Sequence, residues 1–202
     1  ARAGGPRAAY GVLNGLIRNG SPAAASLPPM TLHRFAPLAL AALGLAAAQA
    51  DQTKLVPFSD ARLPFSISAP SNWYGIDLGD GAVGLSMVSA KTKPATMIRL
   101  LFAEKDNGEK VNLSTEADNY EADLKSTKLT VKRLSSKDAT YGGVKGLERE
   151  YQLSGGGSDV RLRVWFGDNA KNLFSFQLTD TAPRYAAASD LFSKMLATVK
   201  FK

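Results

Sequence analysis

The chain of 202 residues contains no cysteine and one histidine, His33. Without cysteine there are no disulfides, so the fold must rest on packing alone. Thiolate chemistry and the attachment of a lipoprotein anchor are excluded by the same absence. Acidic residues are missing from the first 50 positions, although the whole chain has 18 of them. The sequence also lacks Gly-x-Ser-x-Gly, a P-loop, a dinucleotide fingerprint and any Ser-x-x-Lys. These gaps remove most nucleotide-dependent and nucleophilic enzyme classes.

Residues 30–50 read "MTLHRFAPLALAALGLAAAQA". Arg34 supplies a basic start, residues 36–48 are uninterruptedly apolar, and Ala48-Gln49-Ala50 has the small-x-small form of a cleavage site. This is the three-part pattern of a secretory signal peptide, and it is shorter than a bilayer span. The expectation is export to the periplasm or the medium, with cleavage after Ala50 and no stable membrane insertion afterwards. Residues 1–29 precede the first methionine and are expected to be an over-extended reading frame or a disordered extension.

Four of the 25 basic residues (Arg2, Arg7, Arg18 and Arg34) precede residue 51, which leaves 21 basic against 18 acidic groups in 51–202. The net charge falls from +7 to +3, weak grounds for a nucleic-acid partner. With His33 in the leader, the remainder has neither imidazole nor thiol. Ser-His-Asp and Cys-His catalysis are excluded, as is ordinary zinc, copper, haem or iron–sulfur ligation. No cofactor is expected.

Residues 51–202 have the length of one domain. Segment 51–63 shows no period. "PFSISAP" (64–70) alternates, "SNWYG" (71–75) reads as a turn with two aromatics, and "DLGDG" (77–81) as a loop. Strands are expected over 82–90 and 96–105, with a polar turn at 105–110. A helix capped by Ser114 or Thr115 follows, with Ala117, Tyr120 and Leu124 on one face. Strand 129–137 and a turn at 141–143 come next.

Residues 144–179 read as three antiparallel strands. One register sets Leu153 opposite Val160, Tyr151 opposite Leu162, Arg149 opposite Val164 and Leu147 opposite Phe166. It also sets Gln152 against Arg161, Glu150 against Arg163 and Glu148 against Trp165. An apolar face and a compensated charge pair arise together. Phe174, Phe176 and Leu178 share one face, that of Trp165 if the 168–171 loop has an even length. A final helix, capped by Asp180 or Thr181 with Pro183 in its first turn, carries the stripe Tyr185, Ala188, Phe192, Met195 and Val199. "TVKFK" ends the chain as a short strand. The fold class is α+β: an antiparallel sheet of about six or seven strands covered by helices.

The stretch "FSISAPSNW", with Pro70 and Trp73, resembles the opening strand and Pro-x-x-Trp turn of PsbP-like proteins and their Mog-type and DcrB-like relatives. The middle helix, Gly142-Gly143, the long hairpin and "TVKF" match the same layout, over roughly residues 57–202. The resemblance implies an α/β/α sandwich that docks onto larger protein assemblies. The missing lipidation cysteine departs from the DcrB-like lipoproteins.

Candidate binding residues follow. Trp73 and Tyr74 are aromatics of a type enriched at interface centres, Trp73 being expected to plug the core and Tyr74 to face solvent. Asp77 with Asp80, and Asp106 with Glu109, offer oxygens to a hard cation. Neither pair has EF-hand spacing, and turn chemistry accounts for both. Lys128, Lys132 and Arg133 lie on a basic strand that also reads as a solvated edge. The function expected is a monomeric, non-enzymatic domain binding an envelope protein through the 71–81 loops combined with this basic strand. The alternatives are a small-molecule or lipid carrier with a pocket between sheet and helices, and a hydrolase built on Asp77 and Asp80.

Overall fold

The computed structural model describes residues 53–106, 109–127, 129–155 and 159–202; the expected leader, residues 1–29 and Lys128 lie outside them. Along the chain run β1 (Leu55–Ser59), β2 (Phe65–Pro70), β3 (Tyr74–Gly75), β4 (Gly84–Val88), β5 (Met97–Glu104), α1 (Leu113–Ser126), β6 (Thr130–Tyr141), β7 (Val144–Ser154), β8 (Val160–Asp168), β9 (Asn172–Thr181), α2 (Tyr185–Leu196) and β10 (Lys200–Phe201). Seven strands form one antiparallel sheet in the order β3-β4-β5-β9-β8-β7-β6, and three form a second in the order β1-β2-β10.

The β7–β8 ladder has the expected register, from Leu147 opposite Phe166 to Leu153 opposite Val160. Period-2 alternation sends Tyr151, Leu153, Leu162, Val164 and Phe166 to one face, where they pack with Ala117, Tyr120 and Leu124 of α1. Trp165, Phe174, Phe176 and Leu178 go to the other face. There they meet Phe65 and Ile67 of the small sheet and Phe192, Met195 and Leu196 of α2. Trp165 stands opposite Phe176 and is completely buried, with Tyr141 of β6 at 5.4 Å and Phe201 of the small sheet at 6.2 Å between ring centres. The large sheet is thus covered by α1 on one side and by α2 with the small sheet on the other.

Several local expectations are corrected. Segment 55–59 is a strand, pairing with β2 from Leu55–Pro70 to Ser59–Ser66. It occupies an edge, where Pro57 costs no ladder bond on its open side. The cap of α1 is Asn112, whose side chain accepts from the Ser114 and Thr115 amides. Those two residues are already inside the first turn. Asp180 and Thr181 finish β9 and do not cap α2, which starts at Tyr185 after Arg184 with no side-chain cap. The β6 strand continues to Tyr141 and carries a bulge between Arg133 and Ser135, leaving Leu134 without a ladder partner.

Candidate binding surface

The β3 edge begins where Trp73, its amide donating to the Pro70 carbonyl (3.4 Å), closes the turn after β2. Trp73 is half-buried against the main core and lines a groove beside Leu191 of α2. Tyr74 and Gly75 pair with Val88 and Met87, and Tyr74 stays 43% exposed. The Lys91 ammonium stands 4.9 Å from the centre of its ring.

Loop 76–83 folds over the sheet because its aspartates make short-range turns. The Asp77 Oδ1 accepts from the Gly79 amide (2.8 Å) and the Asp80 Oδ1 from the Ala82 amide (3.1 Å). Gly79 and Gly81 take φ of 63° and 72°, a region that favours glycine. Asp80 also reaches the buried Arg99, with Oδ2 3.0 Å from Nη2. The Arg99 Nε donates to the Ser86 hydroxyl (3.0 Å). Burial lowers the Arg99 pKa, while Asp80 favours its charged form. These bonds occupy the carboxylates in turn and charge-pair roles. The pinned loop presents Leu78 and Val83 outward, 37% and 57% exposed. Together with Tyr74, they are three of the four large apolar side chains exposed among the described residues; the fourth, Leu134, sits in the β6 bulge.

Beside Tyr74 opens a groove of about 800 Å³, bounded by Ile76, Val88, Met97, Val160 and Thr179 and walled by residues 90–95. It lies at the end of the large sheet. Between sheet and helices, Tyr120 and Leu124 of α1 and Phe192 and Met195 of α2 are buried, and a groove of about 760 Å³ runs beside α2 at Trp73, Ala188 and Leu191.

Lys132 and Arg133 lie on β6, at the opposite edge from Tyr74. Six inter-strand steps separate the edges, roughly 29 Å at the usual spacing. The 71–81 loops and the basic strand therefore do not form one surface. Arg133 also turns to α1, its Nε 3.2 Å from the Glu121 Oε2, and Arg149 meets Asp118 at 2.8 Å. Lys137 reaches the Glu148 Oε1 at 3.2 Å. Lys132 is exposed, with no carboxylate in ion-pair range among the described residues.

Sequence reasoning missed Leu78, Val83, Lys91 and Lys93. Apolar identity and a turn lysine carry no local mark of exposure. It also missed that Glu148, opposite Trp165, is the carboxylate paired with Arg163 at 2.8 Å, while Glu150 pairs with Arg161 at 3.3 Å. Burial would raise the Glu148 pKa, but Arg163, Tyr141 and Lys137 together hold it below the ordinary value. Glu148 is thus a structural anion and not a proton donor near neutrality.

Comparison by sequence with protein-family models and with curated proteins gives no match. Comparison of folds does. CyanoP, the cyanobacterial PsbP of Synechocystis sp. PCC 6803, superposes with a TM-score of 0.58 at 14% identity, covering 81% of this chain and 99% of its own. LpqN of Mycobacterium tuberculosis, described as involved in cell envelope biogenesis, gives 0.56 at 11% identity, covering 74% and 91%. The fold is thus an α+β sandwich similar to those of CyanoP and LpqN. At these identities the likeness establishes the fold.

Proposed function

We propose that the chain is an exported, non-enzymatic domain that docks onto a protein partner in the bacterial envelope through its β3 edge. The observation that carries this reading is the exposure of Tyr74 on β3 together with that of Leu78 and Val83 on the adjoining loop, which the Asp80–Arg99 pair holds. A small apolar centre on a rigid element, rimmed by Asp77, Lys91 and Lys93, has the layout of an interface core with a charged rim. The leader-like segment 30–50 and the envelope role of the structurally similar LpqN support the location. No helix among the described residues is long and apolar enough to cross a membrane.

The test is capture from envelope extract at physiological salt, with the wild-type chain beside the Leu78→Asp/Val83→Asp double variant. A partner retained by the first and lost by the second is expected. Absence of any specific partner, or equal capture by both, overturns the reading.

A further inference from the structure

The groove at the end of the large sheet has a construction that the docking surface does not require. Its bounding side chains Ile76, Val88, Met97 and Val160 are apolar, and the volume of about 800 Å³ lies within the range of small-ligand sites. We infer that it is a binding site for a single-chain amphipathic anion of the alkyl carboxylate type, with the tail along these four side chains and the head between Lys91 and Lys93. This inference goes beyond the docking reading and does not depend on it.

The wall formed by residues 90–95 is built in advance. Ser89 and Thr96 close it, through the Ser89 amide on the Thr96 carbonyl (3.0 Å) and the Thr96 amide on the Ser89 hydroxyl (2.9 Å). From the far side, Arg184 donates to the Pro94 carbonyl and to the Thr96 hydroxyl (3.0 Å). The Thr96 hydroxyl in turn donates to the buried Asp180 (2.6 Å). A ligand entering here orders no loop, which lowers the cost of binding.

Charge selects the head group. Lys91 and Lys93 are exposed on the wall, and neither has a carboxylate in ion-pair range among the described residues. Asp180, the acid that touches the groove, is already engaged by Thr96, by the Thr181 amide (2.7 Å) and by Arg184 (3.5 Å). The local field is therefore positive over an apolar floor. Backbone pairing leaves no place for a peptide strand added directly to β4. The outer edge of β4 beside the groove is taken by Tyr74 and Gly75, and the Ile76 amide donates to the Ser86 carbonyl (3.0 Å).

The test is calorimetric titration of the full chain with dodecanoate below its micelle-forming concentration. Saturable one-site binding is expected, with dodecyltrimethylammonium about tenfold weaker or worse. Lys91→Glu/Lys93→Glu should weaken dodecanoate by a similar factor. Val88→Trp, or Ala90→Trp if the first fails to fold, should abolish it by filling the groove. Leu78→Asp/Val83→Asp should bind dodecanoate as the wild type does even where it loses a protein partner. No saturable binding, equal affinity for the two head groups, or wild-type affinity in the lysine or the groove-filling variant overturns the inference.

Discussion

The Arg163 Nη2 stands 2.8 Å from the Glu148 Oε2, one pair out of step with the ladder, which sets Arg163 opposite Glu150. Both side chains project to the α2 face, and diagonal neighbours there are within reach of a long guanidinium. Arg163 also donates to the Ser189 carbonyl (3.2 Å), the Ser193 hydroxyl (2.7 Å) and the Tyr141 hydroxyl (3.0 Å). One side chain thus ties β8 to β7, β6 and α2.

Removing Glu148 strands that guanidinium. Glu148→Ala is expected to cost about 3 kcal/mol, as breaking a buried pair commonly does, read from urea midpoints near neutral pH. The wild type has a pH signature as well. The folded pKa of Glu148 lies below its ordinary value of 4.5. Beneath that value the unfolded chain binds more protons, so the contribution is full above about pH 5 and is lost as pH falls through the folded pKa. The slope of stability against pH between about pH 5 and about pH 3 should be shallower in Glu148→Gln than in the wild type.

Gly146 and Gly167 face each other across β7 and β8, and the Trp165 indole lies over both. A Cβ on Gly146 would stand 2.2 Å from the indole Nε1, and one on Gly167 2.0 Å from its six-membered ring. The indole cannot easily yield, since its Nε1 donates to the Ala139 carbonyl (3.0 Å) and Tyr141 packs edge-on at 5.4 Å. Gly146→Ala and Gly167→Ala should each destabilise by about 1–3 kcal/mol, the usual cost of overpacking. Thermal melts with near-ultraviolet circular dichroism of the tryptophan signal would check this.

The two aspartates of loop 76–83 should behave differently. Asp80 neutralises Arg99, whose side chain is 2% exposed, whereas Asp77 is exposed and closes only a local turn. Asp80→Ala is expected to cost about 3 kcal/mol, and Asp77→Ala about 1 kcal/mol or less. Equal losses in chemical denaturation would contradict the roles assigned to them.

The two sheet edges are separable by mutation. Leu78→Asp/Val83→Asp alters exposed positions and should change stability by only about 0.5 kcal/mol per site, while abolishing capture of the envelope partner. Lys132→Glu, on the far edge, should leave capture intact. Loss of capture with Lys132→Glu alone would move the docking surface to β6.

Much of the fold is legible in the sequence wherever one side chain decides its own position. The β7–β8 register follows from alternation, because a slip of one residue would send Tyr151, Leu153 and Leu162 to the opposite face. The faces of α1 and α2 follow from the 3.6-residue period, and Ala117, Tyr120, Leu124, Phe192 and Met195 are all buried. The first strand was hidden because Pro57 interrupts the short apolar run Leu55–Phe58 and demotes it as a strand signal, and its identity comes from pairing with β2. The α1 cap was misplaced by two or three residues because Asn112, Ser114 and Thr115 all have capping side chains and only backbone geometry distinguishes them.

Residue identity alone shows that residues 51–202 lack imidazole and thiol, and it carries the local periods behind most of the strands and both helices. Which residues meet is a property of the folded chain. The strand order brings β5 beside β9 and carries β3 and β6 to opposite edges, so two segments that looked like halves of one surface are separated by the full width of the sheet. It likewise turned Asp80 inward to Arg99 and left Leu78 and Val83 in solvent. Alternation and helical period act over only a few residues. Edge position, ion-pair choice and exposure depend on contacts between segments tens of residues apart, whose pairing no local pattern encodes.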